Sequence, residues 1–297
     1  MKRGQIMNNF GEILSRLPDV ISYELSLLPA SVISQLEEIR LRCGQRAMIL
    51  FSGEEKVLTR IITKDDLTQT LNNLIKYSYY AYEEDLAKGF VTISGGHRVG
   101  ICGKAVVKSG EPALIKEISS MNIRFAKQIK GCANYLIPKL IVNDKPVNTL
   151  IVSPPGCGKT TLLRDIARLL SMRQVKVAVC DERSEIAGMY NSVPSFDIGP
   201  RTDILDGCDK THGIPMLIRS MSPEVIITDE IGKPSDLDAI QQCQKSGVKL
   251  ITSIHGSNLE DIENSNLSCL IRDKVFQNIV ILSKENGPGT VKEVISA

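Results

Sequence analysis

Nine consecutive residues near the middle of the chain, Ser153-Pro154-Pro155-Gly156-Cys157-Gly158-Lys159-Thr160-Thr161, constrain the fold more than any other feature. A short apolar run, Val147 to Val152, precedes them. Leu162, Leu163, Ile166, Ala167, Leu169 and Leu170 follow at helical spacing. A strand, a glycine-rich turn and a helix in that order make a phosphate loop. Gly156 and Gly158 let the backbone curl so that successive N–H groups face a phosphate at the positive end of a helix. Lys159 reaches the β- and γ-oxygens, and the Thr160 hydroxyl suits Mg²⁺. The first glycine of the usual pattern is replaced by Ser153, at the loop entrance and away from the charge. The expected ligands are therefore ATP and Mg²⁺, with Ser153, Pro154, Pro155, Gly156, Cys157, Gly158, Lys159, Thr160 and Thr161 forming the binding loop.

Buried-strand candidates recur downstream at Val175 to Cys180, Val225 to Thr228 and Lys249 to Ile254, separated by helix-length segments. That alternation predicts a parallel sheet covered on both faces, with its site beyond the carboxyl ends of the strands. Val225-Ile226-Ile227-Thr228-Asp229-Glu230 brings two carboxylates to such an end, on a strand expected to lie beside the phosphate-loop strand. Asp229 suits a contact to the metal or its water, and Glu230 suits orienting and deprotonating the attacking water. Asp181-Glu182-Arg183-Ser184-Glu185 opens onto the same edge. There one acid, Glu182 the candidate, either supports the water or metal or simply begins a charged helix. His255 ends a further strand, where it either reports the γ-phosphate or is a satisfied structural residue.

Upstream, Glu37 to Ser52 is β-rich, Asp65 to Leu86 has helical spacing, and Phe90 to Val107 reads as a glycine-bent hairpin. The polar turn Asn143-Asp144-Lys145-Pro146 separates this half from the rest. The expected domains are a smaller α+β unit, 1–144, and the phosphate-loop unit, 145–297. Lys+Arg 36 against Asp+Glu 34 leaves no bulk attraction for nucleic acid or anionic lipid, and the low aromatic content argues against a stacking groove, so no nucleic-acid partner is expected. No apolar run approaches the ~20 residues that span a bilayer. The first residues mix Lys2, Arg3, Asn8, Asn9, Glu12 and Asp19 among apolar ones, so no leader core is expected and the chain reads as cytoplasmic. Scattered cysteines without a Cys-x-x-Cys pair point to reduced thiols. Two distractors are set aside: Thr63-Lys64-Asp65-Asp66 imitates a guanine-reading motif but reads as a solvated helix start, and Cys157 has no base beside it.

The stretch from Ile218-Arg219-Ser220-Met221-Ser222-Pro223-Glu224 through Asp229-Glu230-Ile231, then Gln241 to Gly247 and Thr252 to His255, resembles the ATPase core of type II secretion, type IV pilus and type IV secretion motors. Asp181 to Glu185 takes the slot of that family's acidic box. The resemblance implies a RecA-like core, a functional His255, and a homo-hexameric ring. Secretion motors follow the catalytic Glu with an Arg-Asp pair, where this chain has Gly232 and Lys233. Glu38-Ile39-Arg40-Leu41-Arg42, Lys88 to Thr92, Gly95-Gly96-His97-Arg98-Val99-Gly100 and Asn122-Ile123-Arg124 are similar to the stage III sporulation protein AA family of endospore-forming bacteria. That likeness implies a mother-cell motor, peripheral to a membrane-embedded, secretion-like channel joining mother cell and forespore. It also makes Arg98 and Arg124 candidates for an arginine supplied to a neighbouring subunit, with Arg219 a third. The rival readings are a nucleic-acid motor on the same core and a nucleotide switch without mechanical work.

Overall fold

The computed structural model describes residues 10–108, 110–285, 287 and 289–296, so Lys2, Arg3, Asn8 and Asn9 lie outside the described residues. The chain divides into two compact units, Met1–Ala126 and Lys127–Ala297. The first unit is α+β. Strands β1 (Leu36–Arg42), β2 (Arg46–Phe51), β3 (Glu54–Ile61), β4 (Phe90–Ile93), β5 (His97–Lys108) and β6 (Glu111–Arg124) form one antiparallel sheet in the order β3-β2-β1-β6-β5-β4. Helices α1 (Asp19–Ser26), α2 (Ala30–Gln35), α3 (Lys64–Leu74) and α4 (Glu83–Ala87) accompany it. The imitation guanine motif is the start of α3. Thr63 accepts from the Asp66 N–H while the Asp66 carboxylate accepts from the Thr63 N–H, a reciprocal cap.

Strand alternation sorts this sheet into two faces. Ile39, Ile123, Val99 and Val91 are in register across β1, β6, β5 and β4, and all are fully buried. One residue away, Glu38, Arg124, Arg98 and Thr92 form the next rung, on the opposite face. His97 is buried; its Nδ1 accepts from the Ala126 N–H, and its ring packs on Phe125 at 5.2 Å. Burial holds it neutral, with a pKa lowered from 6.5 to about 4, against a smaller opposing pull from Glu12. A depressed histidine pKa means that stability is fully present above pH 6.5 and is lost as pH falls through about 4, a contribution of about 3 kcal/mol. His97→Asn, whose Oδ1 stands where Nδ1 accepts from Ala126, is expected to flatten this acid limb in melts across that pH window. An unchanged limb would place the acid sensitivity elsewhere.

The second unit is built on a seven-stranded sheet. Helix α5 (Ile137–Leu140) leads into a small hairpin of β7 (Ile141–Val142) and β8 (Lys145–Pro146). The strands β9 (Thr149–Ser153), β10 (Val177–Asp181), β13 (Thr202–Asp206), β14 (Val225–Ile231), β15 (Lys249–His255), β16 (Asn278–Ser283) and β17 (Thr290–Ser296) are ordered β13-β10-β14-β15-β9-β16-β17. Between β10 and β13, the short β11 (Met189–Tyr190) and β12 (Val193–Pro194) pair with each other. Every pairing in the large sheet is parallel except β16 with β17. Alternate strand residues go to opposite cores. Ile151, Val179, Ile227 and Ile251 pack with α6 (Lys159–Met172), and Val152, Ala178, Ile226 and Leu250 pack with α7 (Lys210–Met221) and α8 (Asp236–Ser246). Both faces are therefore covered, as continuous apolar strands demand.

Two expectations need correction. The polar turn at Asn143 and Asp144, with φ +50° and +60°, is the tip of the β7–β8 hairpin rather than a linker between domains. Ala133, Leu136, Ile137 and Leu140 upstream of it pack into the same core as α6, so residues 127–144 group with the second unit. A turn signal marks a reversal without saying which core lies on either side. The Asp229–Glu230 strand is also not beside the phosphate-loop strand: β15 pairs with both β9 and β14 and separates them. β9 lies where the strand order switches, since the chain leaves it for β10 on one side and β16 returns on the other.

Candidate active site

The turn from β9 into α6 has the shape its glycines predict. Gly156 has φ +68° and Gly158 φ +86°, left-handed values that a side chain disfavours. Gly158 is the N-cap of α6 and no side chain caps that helix end, which leaves its first N–H groups for an anion. Ser153 needs no such freedom. It is the last residue of β9, buried, in register with His255 of β15, and its hydroxyl donates to the Pro154 carbonyl. Cys157 is buried in the core under α6, an apolar plug for the loop rather than a reactive group. Pro154 and Pro155 lie in the turn, and Thr160 and Thr161 are the second and third residues of α6.

Lys159 and Glu230 meet directly, Nζ to Oε2 at 2.6 Å. Partial burial pulls the Glu230 pKa upward, but the Lys159 hydrogen bond and charge, helped by His255 and Arg183, outweigh it and hold the carboxyl below the usual glutamate range. The bend that aims Glu230 is visible in the ladder. The β14–β15 register shifts between Ile227 and Glu230, and there the Thr252 hydroxyl donates to the Asp229 carbonyl at 2.7 Å. His255 is exposed at the end of β15, between the strands that carry Ser153 and Glu230.

Asp229 is not open to solvent. Its Oδ1 lies 2.7 Å from Nζ of Lys210, the first residue of α7, and the same ammonium lies 2.6 Å from Glu182 Oε2. Burial pushes Asp229 upward even so, whereas in Glu182 the Lys210 hydrogen bond and charge, with Lys233, outweigh burial and lower it. Asp181, Glu182's neighbour, is structural. Fully buried, it accepts from the N–H groups of Glu185, Ile186 and Ala187. Burial nonetheless raises it to about 6. From the other side buried Arg164 of α6 donates to the carbonyls of Glu185 and Ile186 at 2.7 Å each and stacks on Phe196. The acidic segment is thus a turn held at both its donors and its acceptors, not a helix start, and Glu182 is presented from it.

The arginine candidates divide. Arg98 and Arg124 are cross-strand partners on β5 and β6, side by side on one sheet face, with Arg98 over the Phe90 ring at 3.7 Å and Arg124 3.8 Å from Glu38. Arg219 is exposed in the last turn of α7, about 14 Å along the axis from Lys210 and so at the far end of the strands from the phosphate loop. Sequence reasoning missed four cations: Lys210, Arg164, Arg183 and Lys284. A Cβ on Gly156 would lie 3.4 Å from Lys284 Nζ, so this amine overlies the phosphate loop, and nearby the Gly289 N–H donates to the Cys157 carbonyl at 2.7 Å. No motif marks them: Lys210 and Lys284 come from elements distant in sequence, whereas Arg164 lies on α6 itself and Arg183 stands beside Glu182.

These residues fit a nucleotide phosphate chain, with Lys159, Lys284 and an uncapped helix end offering positive charge. They fit Mg²⁺ only as a metal arriving with phosphates. Thr160 offers a hydroxyl and Asp229 is already held by Lys210. Among the described residues no group of three or more His, Cys, Asp or Glu converges to hold an ion. A match to the family model described as sporulation stage III, protein AA runs over residues 19–297.

The chain belongs to the stage III sporulation protein AA family. It is 42% identical over 294 residues to stage III sporulation protein AA of Bacillus subtilis (strain 168), covering 97% of this chain and 94% of that protein. It is 38% identical to uncharacterized protein ycf45 of Porphyra purpurea over 90% of this chain and 44% of that one. In fold, this stage III sporulation protein AA homologue is similar to the Legionella pneumophila ATPase DotB, with TM-score 0.58 at 16% identity over 89% of this chain and 76% of that one. It is also similar to the pilus retraction motor PilT with bound ADP, with TM-score 0.55 at 13% identity over 84% and 75%. The core is therefore RecA-like, as expected. Among the described residues no helix of the family member is long and apolar enough to cross a membrane.

Proposed function

We propose that the protein is a Mg²⁺-dependent ATPase working as a ring of like subunits, most simply a hexamer, that drives a membrane-embedded, secretion-like channel between mother cell and forespore. The observation that carries this reading is the 2.6 Å ion pair of Lys159 with Glu230 at the head of an uncapped helix. The Lys159 ammonium holds a carboxylate where phosphate oxygens would take its place, so nucleotide entry releases Glu230 to act as base on water. When bound, Mg²⁺ supplies charge neutralisation to the phosphates, with Thr160 and, through water, Asp229 on its side. Thr160 and the α6 N–H groups orient the chain of phosphates. His255, at the strand end nearest Glu230, is suited to reporting the γ-phosphate to the rest of the core. The likeness to secretion and pilus ATPases supports mechanical output over a simple switch, and the family supports a sporulation role.

Phosphoryl transfer spreads negative charge over the γ-oxygens, and no arginine within the phosphate loop answers it. We assign that task to Arg98 and Arg124 of a neighbouring subunit, because the two are cross-strand partners on one sheet face, where Arg124 is exposed. Purified protein should release phosphate from ATP only with Mg²⁺ and without stimulation by single-stranded DNA. Glu230→Gln subunits mixed with Arg98→Ala or Arg124→Ala subunits, each inactive alone, should recover partial hydrolysis. No recovery in proven mixed rings, or full activity of both arginine variants, would remove the shared site. DNA stimulation would favour a nucleic-acid motor.

A further inference from the structure

We propose that Lys210 is a positioning residue that takes the place of a cation, keeping Asp229 and Glu182 from collecting a divalent ion before nucleotide brings one. The two carboxylates come from the ends of neighbouring parallel strands, Glu182 just after β10 and Asp229 on β14. Oxygens from both lie within 2.7 Å of a single nitrogen. Hard divalent ions sit about 2.0–2.6 Å from their oxygens, so the point occupied by Nζ is where such an ion would settle. Only 4% of Lys210 is exposed.

The lysine is placed there by the start of α7, whose N-cap Asp209 accepts from the His212 N–H and fixes the first turn. A surface salt bridge of this kind would mean little. A lysine enclosed between two acids is different, because removing it leaves two carboxylates facing each other in a partly dry site, which must take up a proton or another cation. Lys233 does not substitute: its Nζ is 3.5 Å from the other Glu182 oxygen and its side chain is largely exposed.

The consequence for the cycle rests on the nucleotide-site reading. With Lys210 in place, the metal is recruited mainly by phosphates and Thr160, so metal and nucleotide arrive together and Glu230 alone remains available as base. The inference itself is tested without nucleotide. Full-length wild type, Lys210→Arg and Lys210→Met are titrated with Mn²⁺, and bound ion is read by electron paramagnetic resonance.

Wild type and Lys210→Arg should bind weakly. Lys210→Met should gain one site at least about tenfold tighter, with a dissociation constant on the order of 10⁻⁴–10⁻³ M, and Lys210→Met/Glu182→Gln should lose that gain. A folded Lys210→Met protein that binds Mn²⁺ no better than wild type overturns the proposal, as does equally tight binding by wild type. Should Lys210→Met fail to fold alone, millimolar Mn²⁺ must restore cooperative melting, and failure to do so counts against it. A gained Mn²⁺ site in a chain whose wild type never hydrolyses ATP would leave this inference standing and remove the motor.

Discussion

Glu230→Gln is expected to lower ATP hydrolysis by a factor on the order of 10² or more while nucleotide binding is retained. The amide keeps the volume and a hydrogen bond but cannot accept a proton from water. In the folded chain Glu230 is also the partner of Lys159 at 2.6 Å, so the neutral amide competes less with phosphate and binding should hold or tighten. Pre-steady-state phosphate release and equilibrium binding of a fluorescent ATP analogue separate the two effects. The comparison variant is Glu182→Gln. Glu182 is held by Lys210 at 2.6 Å and by Lys233 at 3.5 Å, so its loss should loosen the Asp229 cluster with a smaller loss of rate. A larger loss in Glu182→Gln than in Glu230→Gln would reverse the two roles.

Lys159→Ala should abolish productive ATP binding, lowering affinity by on the order of 10²–10³ through the loss of charge-assisted hydrogen bonds to two phosphates. The effect is compounded locally, since the freed Glu230 carboxylate then faces the incoming polyphosphate without its counter-ion. The fold should survive. Lys159 makes no other side-chain ion pair among the described residues, whereas the helix it begins is anchored by Leu162, Leu163, Ile166 and Leu170 in the core. Melting temperature near wild type, lost nucleotide binding and lost complementation of a sporulation defect are the expected outcome together. Wild-type hydrolysis by Lys159→Ala would end the phosphate-loop assignment.

The strand–turn–helix at 149–172 was legible because its signals are local: two glycines, a lysine and a threonine within nine residues, between a strand and a helix, leave few other structures. The parallel sheet was legible for a similar reason, since apolar runs ending in Asp229, Asp181 and His255 report burial on both faces and a common edge. Strand order was not. Nothing in the hydrophobic pattern of β15 says that it inserts between β9 and β14, because each buried strand offers the same ladder to either neighbour. The domain boundary was misplaced for a related reason: Asn143 and Asp144 reverse the chain as a linker would, and only the packing of Leu136, Ile137 and Leu140 shows that the reversal lies inside one core.

The sequence by itself determined that a glycine-rich turn between a strand and a helix opens a buried parallel core, and that acids stand at the strand ends. The tertiary structure alone decided which acid meets which cation. Lys159 reaches Glu230 across an intervening strand, Lys210 of α7 closes on Asp229 and Glu182, and Arg164 braces the turn that presents Glu182. Local propensity acts over a few residues, whereas a charge pair depends on distance in space. The buried lysine between two carboxylates joins positions 182, 210 and 229, which no local rule connects.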